Sequence, residues 1–167
     1  MKPSFAIAAG IVMLVAGAAA AQAMRSGVRI SYTQINRQSG ATGSAFLPVS
    51  TADVVLNEPS LAVCGERGPQ IRITARLPRG PIRQVVVYFA GAAGSSQPID
   101  TARCGHANVV TTLEDGTVLV GGHGDVTVSD FGGGGTPARG RFSQTAEHDG
   151  VPTTIRGDFQ VALPPAR

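Results

Sequence analysis

Hydrophobic and polar residues alternate along most of this chain, and the alternation has a period of two. Between Gln70 and Pro78, Ile71, Ile73, Ala75 and Leu77 fall on one side while Arg72, Thr74 and Arg76 fall on the other. That pattern belongs to an extended strand with one buried face and one wetted face. The last segment repeats it over a longer span. Thr153, Ile155, Gly157, Phe159, Val161 and Leu163 share one face, and Thr154, Arg156, Asp158, Gln160 and Ala162 share the other. Ile82–Ala90 differs, because its Val85-Val86-Val87-Tyr88-Phe89 run is continuously apolar. Such a run fits a central strand covered on both sides.

Further strands are expected over Val28–Asn36, Ala52–Asn57, Asn108–Leu113, Thr117–Val120, Gly124–Phe131 and Arg139–His148. Phe131 departs from the parity of Val126 and Val128, which predicts a bulge near Asp130. Asp115-Gly116 and Asp149-Gly150 are strong hairpin signals, since both residue types tolerate positive φ. The 22 Gly and 11 Pro of the chain interrupt any helical period, so no helix is expected after residue 24. Ser39–Ser44, Gly91–Ser96 and Gly132–Gly135 read as loops. The fold class that follows is all-β: a single antiparallel β-sandwich, or an open barrel, of about 7–9 short strands. The domain spans residues 24–163, and residues 164–167 form a disordered tail.

The first 23 residues stand apart. Met1 and Lys2 give a positive start, an Ala-rich apolar run follows from Phe5 to Ala21, and Ala21-Gln22-Ala23 has the small-x-small form of a cleavage site. This is the order of a secretory signal peptide, with the mature chain starting near Met24. The alternative is an uncleaved anchor, which the run's short length and Ala-rich composition disfavour. No later apolar run is long enough to span a bilayer. The expected location is therefore the periplasm or the medium.

Charge adds little at this level. There are 14 basic and 11 acidic residues, for a formal net charge of +3, and Lys2 is the only lysine. Arg29, Arg37, Arg72, Arg76, Arg79 and Arg83 are scattered among several segments with few aromatics between them, so they read as wetted strand faces. Nucleic-acid binding wants clustered cations with stacking rings, and none is expected here. Cys64 and Cys104 are the two cysteines. In an exported chain they read as a disulfide, closing a loop of about 41 residues for roughly 4 kcal/mol of stabilisation.

Candidate chemistry is sparse. The histidines are His106, His123 and His148. His106, His123 and Asp125 are the weak candidates for a Zn or Cu site, because imidazole and carboxylate suit those metals. Their spacing does not place paired ligands on one strand face, and exposed loop histidines are the commoner case. Gly121–Asp125 and Gly132–Gly135 lack the following helix that a phosphate-cradling loop needs, so both read as hairpin loops. No Gly-x-Ser-x-Gly elbow occurs. Glu114 with Asp115, and Glu147 with Asp149, sit at turns rather than across a cleft. Arg156-Gly157-Asp158 matches an adhesion tripeptide but falls within a strand. With no Trp and two Tyr, stacking platforms are scarce.

Gly124-Asp125-Val126-Thr127-Val128, Arg139-Gly140-Arg141-Phe142 and Ile155-Arg156-Gly157-Asp158-Phe159 resemble the recurring G-x-V-x-V and G-x-F strands of uncharacterised secreted bacterial β-sandwich domains. The resemblance implies fold class and carries no functional residue. The expectation is thus an exported, non-enzymatic binding or envelope-associated accessory domain without a cofactor, its partner an unidentified protein or envelope ligand. The alternative is a small metal-dependent or hydrolytic enzyme working through its loop histidines.

Overall fold

The computed structural model describes residues 26–33, 42–56, 70–90, 93–99, 107–132 and 136–165. The leader, Cys64, Cys104 and His106 lie outside these residues, so the expected cleavage, disulfide and three-residue metal set do as well. Eleven strands are present among the described residues. In chain order they are β1 (Gly27–Thr33), β2 (Gly43–Pro48), β3 (Val54–Leu56), β4 (Gln70–Arg76), β5 (Ile82–Ala90) and β6 (Ser96–Pro98). β7 (Asn108–Leu113), β8 (Val118–Val120), β9 (His123–Phe131), β10 (Ala138–His148) and β11 (Val151–Val161) complete the set. No described helix is long and apolar enough to cross a membrane.

The strands form two antiparallel sheets. One has six strands in the order β2-β1-β11-β10-β9-β6, and the other has five in the order β3-β4-β5-β7-β8. This is the sandwich rather than the barrel. β5, the continuously apolar segment, takes the centre of the five-stranded sheet. The bulge expected near Asp130 is there: Arg139 pairs with Asp130, but the next residue, Gly140, pairs with Val128.

Eleven strands rather than seven to nine reflects two segments that had read as loops. β2 begins inside Ser39–Ser44, and β6 begins at the end of Gly91–Ser96. Neither contains a β-branched residue, so local propensity is silent. Both are edge strands, extended because β1 and β9 offer them ladder partners. Gly121-Gly122 also departs from expectation. It is no hairpin: it carries the chain from β8 in one sheet to β9 in the other. Gly122 has φ 86°, and a Cβ there would lie 2.2 Å from the Thr145 carbonyl oxygen. Asp149 and Gly150 both have positive φ, 51° and 71°, as a tight hairpin between β10 and β11 requires.

The core lies between the sheets. Val28, Ile30, Leu47, Val126, Val128 and Ile155 of one sheet meet Ile71, Ile73, Val85, Val87 and Val109 of the other, all fully or nearly fully buried. Phe89 of β5 joins the layers aromatically. Its ring stacks on Phe159 at 5.2 Å and tilts against Phe131 at 5.8 Å. Such pairs contribute about 0.5–1.5 kcal/mol beyond the area they bury.

Within the six-stranded sheet the G-x-F repeats have a packing role. Gly140 pairs with Phe159 and Phe142 with Gly157 across β10 and β11. Each phenyl ring lies over the opposite glycine, so a Cβ at Gly140 would sit 2.3 Å from the Phe159 ring and one at Gly157 2.5 Å from the Phe142 ring. Gln144 is a large polar side chain in this interior, 0% exposed. Its Nε2 donates to the carbonyls of Val109 (2.7 Å) and Gly121 (3.0 Å), and its Oε1 accepts from the Thr111 hydroxyl at 3.0 Å. Gln144 therefore ties β10 to β7 across the interior, and the satisfied amide pins the register of one sheet on the other.

Candidate functional site: an arginine-lined groove

Because β-strand side chains alternate, every strand of the six-stranded sheet also presents an outer face. The register sets Phe46, Arg29, Asp158, Arg141 and Thr127 in one row across β2, β1, β11, β10 and β9. The adjacent row is Ser44, Ser31, Arg156, Ser143 and Asp125. Neighbouring strands lie about 4.8 Å apart, so Arg29 and Arg141 flank Asp158 at roughly 10 Å from each other along the backbone. Arg139 is two residues from Arg141 on β10, on the same face.

These rows enclose two adjoining hollows, of about 370 Å³ and about 480 Å³. Arg29, Arg141 and Asp158 line both, Arg139 and Phe46 line the first, and Arg156 and Asp125 line the second. Phe46 is 39% exposed. Its ring rests on Gly27, where a Cβ would lie 2.4 Å from it. The glycine thus leaves room for the ring that forms the aromatic wall.

The four arginines of the groove are exposed, and among the described residues none makes a side-chain hydrogen bond or ion pair. Asp158 is equally free. Asp125 is not. Its Oδ2 accepts from the hydroxyls of Ser96 (3.0 Å) and Thr127 (2.9 Å), so this carboxylate is already engaged. The groove therefore holds four uncommitted guanidiniums and one uncommitted carboxylate, beside serine hydroxyls and an exposed ring. Guanidinium forks bind carboxylates and other oxyanions in two-pronged hydrogen bonds. A lone carboxylate accepts from hydroxyl or ammonium groups.

The residues singled out in the sequence are placed as follows. His123 starts β9, exposed, and lies two residues from Asp125 on the outer face. His148 is buried at the end of β10, 6% exposed, with Nε2 3.7 Å from the Asp149 carboxylate, instead of decorating a turn. No three His, Cys, Asp or Glu gather among the described residues. Arg156-Gly157-Asp158 lies inside β11, with Gly157 turned to the core and the two charges turned to the groove.

The groove itself was not legible in the linear order. Its arginines stand at positions 29, 139, 141 and 156, and only β1–β11 pairing brings the first beside the last. The alternation of Arg139/Arg141 and of Arg156/Asp158 did show that each pair shares a wetted face. No family model, curated protein or solved structure matches this chain.

Proposed function

We propose that this chain is an exported, non-enzymatic binding domain of the periplasm or the medium, and that it binds an anionic ligand in the arginine-lined groove. One observation carries the reading: four arginines from three strands line an open groove, and no acid among the described residues is paired to them. Solvated surface arginines are common, but three lining each of two adjoining hollows, with Arg29 and Arg141 shared, concentrate positive potential at one place. The leader-like segment 1–23 supports export.

Among the described residues the groove lining offers guanidiniums, hydroxyls, carboxylates and one exposed ring, which are recognition groups. The metal-dependent alternative gains nothing from Asp125, whose oxygen is taken by two hydroxyls.

Calorimetric titration with oligoglutamate tests the binding reading. Salt-sensitive binding by the wild type, lost in Arg29→Gln/Arg141→Gln, supports it. Unchanged affinity in that double variant overturns it. N-terminal sequencing of protein from the native host tests export, with a start near Met24 expected.

A further inference from the structure

Resting on the groove reading above, we infer that the ligand is an acidic glycan, a chain bearing both carboxylates and hydroxyls. The inference comes from what accompanies the arginines. Asp158 stands between Arg29 and Arg141 in one cross-strand row, exposed and without a partner among the described residues. A densely charged polyanion laid across this row would meet a like charge at its centre. A polyhydroxylated acid would not, because Asp158 accepts its hydroxyls while the flanking guanidiniums take its carboxylates.

Three further features agree. Phe46 offers an exposed ring at one wall, where the apolar face of a sugar ring stacks. Ser31, Ser44 and Ser143 line the second hollow with small hydroxyls suited to polyols. The two hollows adjoin along the sheet and share Arg29, Arg141 and Asp158, so they form one trough for an extended chain. A flat anionic membrane fits less well, since the cations surround a recess and Asp158 opposes the lipid phosphates.

The test compares two probes of equal carboxylate number, oligogalacturonate and oligoglutamate, against the full chain. Wild type is expected to bind oligogalacturonate about tenfold or more tightly, the equivalent of one additional charged hydrogen bond. Asp158→Asn is expected to weaken oligogalacturonate binding several-fold and to strengthen oligoglutamate binding, because a charged two-oxygen acceptor becomes a neutral amide with one weaker acceptor oxygen, and the like charge is lost. Phe46→Ala is expected to weaken only oligogalacturonate. Circular dichroism and melting temperature confirm that each variant folds.

Equal affinity for both probes, or preferential binding to phosphatidylglycerol vesicles, with either one abolished by Arg29→Gln/Arg141→Gln, overturns the glycan inference and leaves the anion-binding reading standing. Stronger binding of both probes by Asp158→Asn does the same. No binding of any probe, or binding that the arginine variant does not change, overturns both.

Discussion

The two sheets use arginine in opposite ways. On the five-stranded sheet, Arg76 bonds the Asp53 carboxylate at 2.9 Å and Arg83 bonds Glu114 at 2.8 Å. Arg83 also donates to the Pro78 carbonyl, so it fastens the β4–β5 turn to the β7–β8 turn. On the six-stranded sheet, Arg29, Arg139, Arg141 and Arg156 find no acid among the described residues, although Asp158 sits in their midst. The outer surfaces differ too: Val118 and Val120 are each 52% exposed on the β8 edge, whereas the opposite sheet offers charge, hydroxyls and one ring. Paired arginines hold turns in place. Unpaired ones remain available to a ligand.

That contrast can be broken or sharpened by substitution. The largest effect belongs to the core that both sheets share. Phe89→Ala removes the ring that touches Phe159 and Phe131, and it is expected to cost about 3–5 kcal/mol in denaturant unfolding. A loss under about 1 kcal/mol would mean that the layers do not meet through Phe89.

Next comes Gln144→Leu, which leaves the Thr111 hydroxyl and the Val109 and Gly121 carbonyls without their partner. Roughly 2–3 kcal/mol is expected, because each buried group left unsatisfied carries its desolvation cost. Gly157→Ala forces the Phe142 ring aside and is expected to cost about 1–3 kcal/mol. Urea melts of the two variants rank them.

The charged residues come last, and they separate the sheets. Arg83→Gln is expected to cost about 0.2–1 kcal/mol, the range for an exposed pair. Arg29→Gln/Arg141→Gln is expected to change stability by less than about 0.5 kcal/mol while abolishing binding. If the double variant were the less stable of the two, the division between turn-holding and ligand-holding arginines would fail.

The smallest effect is pH-dependent. The Ser50 hydroxyl, donating to Asp53 at 2.6 Å, together with the Ser50 amide and Arg76, holds the Asp53 pKa below its ordinary value of 3.8. A carboxyl with a depressed folded-state pKa stabilises the fold above its unfolded value, and that contribution is lost as pH falls through the folded one. Wild type is therefore expected to lose slightly more stability than Asp53→Asn as pH drops below the ordinary value of 3.8, by about 0.2 kcal/mol. Parallel acid titrations followed by circular dichroism measure the difference.

Much of the fold was readable from local chemistry. Val126, Val128 and the displaced Phe131 announced both a strand and its bulge. Val85–Phe89 announced a central strand through its unbroken apolar run, although Gln84 and Tyr88 on its outer face are only half-buried, and Asp149-Gly150 announced a hairpin because two adjacent residues had to accept positive φ. β2 and β6 were hidden for the converse reason, since their extended shape comes from neighbours that lie elsewhere in the chain. His148 closes the expected Arg139–His148 strand, and strand parity turns it inward.

What the amino-acid order settles alone is which residues of each strand go inward, because side chains alternate on any extended backbone. Which strands become neighbours, and at what offset, depends on hydrogen bonds between segments, and for β1 and β11 those segments lie more than a hundred positions apart. The groove belongs to that second category. Arg141 reaches Asp158 across the short β10–β11 hairpin, but Arg29 meets it only through the register of β1 on β11. Tertiary pairing, acting on residues that individually look like ordinary wetted positions, assembles them into one binding face.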